Sequence, residues 1–146
     1  MSSTGLTRGR SALRDLVWFW LPPLAWMGMI FYLSAQPDLP GPPESWLNAW
    51  LIDKLLKKGA HFGVYAGLAF WWWRALRRPQ TLSEAKETGK IALLLAFGVS
   101  VLYAVSDEFH QSFVPGREPR LLDVLIDATG AATALGLMWR WRVGSQ

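Results

Sequence analysis

Three stretches of the 146-residue chain carry polar side chains at spacings that could do chemistry. In KKGAHFGVYAGL, Lys58, His61 and Tyr65 follow at steps of three and four, so a helix would carry them on one stripe. In SDEFHQSFVPGR, Asp107 precedes His110 and Gln111 by three and four residues, with Glu108 beside it. These groups share a face if the helix continues past Val105. In LLDVLIDATG, Asp123 and Asp127 stand four apart on one face. Lys58 and Arg117 could grip a phosphate, Arg in bidentate fashion. His61 or a carboxylate of raised pKa could move a proton. Asp107, Glu108, Asp123 and Asp127 could instead hold a divalent cation through oxygen, with His61 or His110 added for a transition metal. Their spacing matches no standard metal motif, and no cofactor is assigned. Ser106 and Ser112 have no base paired with them in the sequence.

The elements that must position these groups are apolar. Four blocks, Leu16 to Leu33, Gly59 to Trp73, Ile91 to Val105 and Leu121 to Trp141, alternate with polar connections. Crossing a hydrocarbon layer takes about 20 helical residues. Blocks one and four reach that length, whereas two and three must extend into their polar flanks. The expected fold is an all-α membrane protein with four transmembrane helices, over residues 15–35, 59–76, 90–111 and 120–141, in a single domain 1–146. A soluble four-helix bundle would need a polar face, which WFWLPPLAWMGMIFYL lacks. The mean hydropathy of +0.16 understates the pattern because hydropathy scales score the ten Trp as slightly polar. The first block follows Arg8, Arg10 and Arg14 as a signal peptide would, but its apolar run exceeds the usual signal core and is read as a retained span. Between blocks one and two, Pro and Gly turn signals precede a helical stretch in which Leu47, Leu51 and Leu55 recur every fourth residue. That stretch is expected as a short amphipathic helix along the outer surface.

Basic residues orient the chain. Arg8, Arg10, Arg14, Arg74, Arg77, Arg78, Lys86, Lys90, Arg140 and Arg142 fall on one side, against Lys54, Lys57, Lys58, Arg117 and Arg120 on the other. The positive-inside rule therefore places both termini in the cytoplasm, with the protein in the inner membrane. Trp18, Trp20, Trp71, Trp72, Trp73, Trp139 and Trp141 fit an aromatic belt at the inner boundary, and Trp46 and Trp50 one at the outer. The net charge of +4 follows from this topology, so no nucleic-acid partner is expected. Absence of Cys excludes disulfides, thiolate nucleophiles and Cys-ligated zinc.

This orientation brings the three polar stretches to one level, at the outer ends of their spans. A charged Asp near mid-bilayer costs about 2.5 to 3.5 kcal/mol, and Asp127 lies roughly 9 Å below the start of block four by helix rise. It needs a proton, a partner or an ion, and Lys58, His61 and Arg117 are the candidates. Pro115 followed by Gly116 predicts a type II turn that aims Arg117 back at the cluster. Gly59, Gly63 and Gly67, and likewise Ala128, Ala132 and Gly136, form small-residue rows suited to close helix packing.

On KKGAHFGVYAGL and SDEFHQSFVPGREPRLLDVLIDATGAATALG, the chain resembles the VanZ-like membrane proteins, named for a protein linked to resistance to the glycopeptide teicoplanin. The matching residues are Lys58, His61 and Tyr65; Asp107, Glu108 and Gln111; Phe113, Val114, Pro115, Gly116 and Arg117; and Asp123, Asp127 and Gly130. The resemblance implies a bacterial envelope protein with an effect on glycopeptide susceptibility, and supplies no reaction.

The function expected is an outward-facing polar site that binds or modifies a membrane lipid or lipid-linked cell-wall precursor. His61, Asp107, Glu108 and Asp123 are the candidate catalytic groups, and Lys58, Tyr65, Gln111, Arg117 and Asp127 the candidate substrate-binding groups. Whether a bond is made or broken is left open. The alternative is a non-catalytic module whose polar cluster holds helices together and recognises a partner. A transporter fits less well, since four spans offer little interior and no inverted repeat is visible, although a homodimer would soften that objection.

Overall fold

A computed structural model describes residues 14–37, 42, 43, 45–77 and 84–144. All of its regular structure is helical. Helix α1 runs as a π-helical turn, Leu16–Trp20, into an α-helix, Leu21–Ser34; α2 is Leu47–Leu76, α3 is Glu84–Gln111 and α4 is Leu121–Gly144. The π turn has a covalent cause. Pro22 and Pro23 carry no N–H, so the carbonyls of Trp18 and Phe19 lose their usual helical partners, and the N–H of Leu21 reaches back to Leu16 O. Arg74 Nη1 donates to the freed Trp18 carbonyl at 2.7 Å, with its guanidinium against the rings of Trp18, Phe19 and Trp71.

The packing is that of a membrane protein, apolar outside and partly polar within. Leu94, Leu102, Leu121 and Trp141 are each more than two thirds exposed, while Ser34, Ser100, Asp107, Glu108, Gln111 and Asp127 are buried. Small residues let the helices close up: Ala69, Ala96 and Ala131 meet with Leu135 in one core cluster, and Ile30, Tyr65, Leu68, Ala104 and Val124 form the other. Helix α2 is central, packing most extensively on α4 and also on α1 and α3. Helix α1 is held more lightly, by the Trp26 indole donating to Val64 O at 2.9 Å and the Tyr103 hydroxyl donating to Met27 O at 2.7 Å.

Three of the four expected spans meet the length and apolarity of a membrane crossing among the described residues: Leu16–Ser34, Gly89–Gln111 and Leu121–Trp141. Helix α2 does not: Asp53, Lys54, Lys57 and Lys58 crowd its first half, and its second half, 59–76, carries His61, Tyr65, Arg74 and three adjacent Trp, which hydropathy scales score as polar. That half also corrects the expectation of a separate surface helix. Nothing between Lys58 and His61 breaks a helix, Gly59 being tolerated in a helix interior, so the surface stretch and the second block form one continuous 30-residue element. Leu47, Leu51 and Leu55 are exposed along it. The small-residue rows are corrected too. Of Gly59, Gly63 and Gly67, only Gly67 meets a close neighbour, the Trp26 indole. In α4, Ala132 and Gly136 face outward, and the buried stripe is Asp127, Gly130, Ala131 and Leu135. Arg8, Arg10 and Arg78, and the side chains of Lys86 and Arg142, lie outside the described residues, as does part of the Pro- and Gly-rich turn.

Candidate functional site

The ends of α1 and α3, the middle of α2 and the turn before α4 enclose a cavity of about 120 Å³, lined by Ile30, Leu33, Ser34, Ala60, His61, Val64, Tyr65, Asp107, Gln111 and Arg117. Each wall follows from its element. The i, i+4 step in α2 carries His61 and Tyr65 to the same face, and the same step in α3 carries Asp107 and Gln111. Helix α3 does continue past Val105, to Gln111, and Gln111 Nε2 donates to Asp107 Oδ2 at 3.1 Å, both side chains being buried. The following turn closes through Arg117 N–H to Val114 O at 3.1 Å, with Gly116 at φ 79°. This positive φ is the one that a type II turn requires and that Gly supplies without strain. The turn aims Arg117 back over α1, where Nε donates to Gln36 O at 3.2 Å and Nη2 to Leu33 O at 3.4 Å. The guanidinium thereby closes the C-terminal end of α1 with charge of the favourable sign.

Behind His61 stands Asp127, 1% exposed, with Oδ1 3.4 Å from His61 Nδ1. Neither oxygen of Asp127 completes a hydrogen bond among the described residues, and neither does the hydroxyl of Tyr65 or of Ser34. Tyr65 and Ser34 are 1% and 5% exposed and both line the cavity. The remaining candidates are not among its lining residues and make contacts between elements. Lys58 Nζ pairs with Asp123 Oδ1 at 3.2 Å, joining α2 to α4. Glu108 Oε2 accepts the backbone N–H of Arg120 at 2.9 Å, at the entry of α4, where a carboxylate suits the helix dipole.

Of the nine candidates, the structure thus brings His61, Tyr65, Asp107, Gln111 and Arg117 to one cavity with Asp127 just behind, and places Lys58, Glu108 and Asp123 in interhelical contacts beside it. The charges of Asp107, Asp123 and Asp127 all act on His61. His110 turns away and stacks on Phe31, ring centroids 4.4 Å apart. Among the described residues no group of three or more acidic or His side chains is arranged to hold a metal ion, because the carboxylates are spread over these separate contacts. Sequence reasoning missed the wall contributed by α1. Its one signal was Ser34, a hydroxyl at the end of an apolar run at the level of His61.

No curated protein and no solved structure matches the chain significantly. The family model for VanZ/LLP1 matches residues 19–142, from the π turn of α1 to the last turns of α4 and so across every wall of the cavity. This multi-pass membrane chain belongs to the VanZ/LLP1 family.

Proposed function

We propose that the chain sits in the bacterial inner membrane with both termini cytoplasmic, that α2 crosses alongside the other three helices, and that its cavity opens toward the outer leaflet. There it binds the polar head of a lipid or lipid-linked envelope molecule, through which it affects glycopeptide susceptibility. The observation that carries this reading is the composition of the cavity wall. Ile30, Leu33, Ala60 and Val64 offer apolar surface while His61, Tyr65, Asp107, Gln111 and Arg117 present polar atoms. An apolar wall with a few convergent polar groups is the usual make-up of a small-ligand site, and an amphiphile has one part for each. Ala60 and Leu33 are exposed, so the cavity opens at the surface of the bundle, which supports entry from the side.

Ala60 gives the test. Its side chain lines the cavity and is exposed, so Ala60→Trp would obstruct the entrance without removing a polar group. Native mass spectrometry of the purified protein should show co-purifying lipid on the wild type and at least a tenfold loss on the variant, with helicity unchanged. Equal occupancy on both would overturn the reading.

The interhelical contacts favour a second reading, in which the polar cluster holds the helices together and recognises a partner. Lys58 with Asp123 and Glu108 with Arg120 each tie α4 or its entry to another helix. Under that reading Ala60→Trp leaves lipid occupancy and the envelope phenotype intact, while loss of the buried Glu108 destabilises the bundle.

A further inference from the structure

Arg117 and Asp107 line the same small cavity, yet among the described residues no ion pair joins them. Each is instead held in place by a neutral partner. Asp107 accepts one hydrogen bond from the Gln111 amide, and Arg117 spends two of its five N–H donors on carbonyls of the α1 end. Opposite charges held apart on one cavity gain most from a ligand that answers both at once. Two further groups ask for a partner there. The hydroxyls of Tyr65 and Ser34 are each more than nine tenths buried; Ser34 has no hydrogen-bond partner among the described residues, and Tyr65, whose hydroxyl faces Asp107, completes none of good geometry.

We infer that the cavity takes a compact zwitterion, with a primary ammonium toward Asp107 and an anionic phosphate or carboxylate toward Arg117. This deepens the reading of the same site as a headgroup pocket and rests on it. The ammonium has three donors, enough for the Asp107 carboxylate and the Tyr65 and Ser34 oxygens together. A quaternary ammonium has none. The size agrees: a cavity of about 120 Å³ that is open on one side has room for an aminoalkyl phosphate or a small amino acid, with the rest of a larger molecule outside it. The apolar wall and its exposed Ala60 and Leu33 supply a seat for the glycerol end of a lipid bearing such a head.

The experiment uses the full chain in detergent micelles, with binding read by native mass spectrometry. Its probes are short-chain phosphatidylethanolamine, phosphatidylcholine and phosphatidylglycerol, together with water-soluble phosphoethanolamine and D-alanine. Phosphatidylethanolamine should bind about tenfold more tightly than either other lipid, the worth of one charge-assisted hydrogen-bonded contact. Asp107→Asn should bring it down to the phosphatidylglycerol level. The comparison among lipids on the wild type needs no variant, so it decides the matter even where Asp107→Asn misfolds. Binding of the soluble compounds at the lipid's own affinity would keep the zwitterion and assign it to a free metabolite. Equal binding of the three lipids, or a preference for phosphatidylglycerol, would overturn the zwitterion and leave the headgroup reading standing. Binding of no probe by folded wild type would remove both.

Discussion

Replacing glycines one at a time by alanine should move stability in opposite directions according to what each added methyl meets. A methyl on Gly130 would run into the Phe62 carbonyl oxygen, with the carbonyl carbon and Cα at 3.0 and 3.1 Å. All three atoms are backbone, so no rotamer change relieves the contact and α2 and α4 must part. Overpacking of this kind costs about 1 to 3 kcal/mol, and with an unyielding neighbour the upper end applies. Alanine returns up to about 1 kcal/mol of helix propensity, leaving Gly130→Ala about 2 kcal/mol less stable. Gly63 and Gly136 have nothing within 4 Å of the same methyl, so there the propensity gain stands alone and stability rises by about 0.5 to 1 kcal/mol. Gly67→Ala lies between. Its methyl meets the Trp26 indole at 2.6 Å, a side chain that can swing aside only by giving up its hydrogen bond to Val64 O. Equilibrium unfolding in mixed micelles, followed by far-ultraviolet circular dichroism, measures all four. Because Phe62 adjoins His61 and Gly130 is three residues from Asp127, Gly130→Ala should also loosen the His61 to Asp127 approach. If Gly130→Ala proved as stable as Gly136→Ala, the close crossing of α2 and α4, and with it the placement of His61, would be refuted.

Two further outcomes bear on how the walls are held. Tyr103→Phe removes the hydroxyl that donates to Met27 O and should cost about 1 kcal/mol, with faster hydrogen exchange in α1 and little change in α2 and α4; uniform loosening would show that α1 is not separately tethered. A double-mutant cycle with Lys58→Met and Asp123→Asn should give a coupling of only about 0.2 to 1 kcal/mol, because the two side chains are 39% and 26% exposed; a coupling above about 2 kcal/mol would mean that the pair is desolvated by something covering it.

The helical periodicities that showed in the sequence are those set by the chain itself. His61 with Tyr65, Asp107 with Gln111, and the positive φ of Gly116 follow from i, i+4 geometry and from the demands of a turn. The structure realises each of them. What depends on a partner helix was hidden. Which of the small residues in α4 turn inward is decided by where α2 lies, and Gly130 rather than Gly136 meets it. His110 has the right spacing to join Asp107, but Phe31 on α1 offers it a ring to stack on, and no pattern local to α3 announces that. The continuity of α2 was missed for a different reason: a change from charged to apolar composition at Gly59 looks like a boundary, although composition changes the environment of a helix without ending it. Arg117 was expected at the cluster and is there, but its two hydrogen bonds to α1 could not be foreseen, because residues 33 and 36 offer only backbone carbonyls, which every residue has.

The polar groups of this bundle divide by whether their bonding is complete. Lys58, Asp123 and Glu108 have partners that join one helix to another or to the entry of α4. The hydroxyls of Tyr65 and Ser34 are more deeply buried and lack completed hydrogen bonds among the described residues, as do the indole N–H groups of Trp72 and Trp73 and Nε2 of His110 outside the cavity lining, while Asp127 faces His61 at 3.4 Å. Burying a polar group without a partner costs about 1 to 3 kcal/mol, so a cluster that served only to hold helices together would be more stable with Phe in place of Tyr65 and Ala in place of Ser34. A binding site has the opposite requirement, since groups that finish their hydrogen bonds within the protein have less to offer a ligand. Tyr65 and Ser34, unfinished and lining the cavity, therefore suit a recognition surface better than a cluster with the single task of packing.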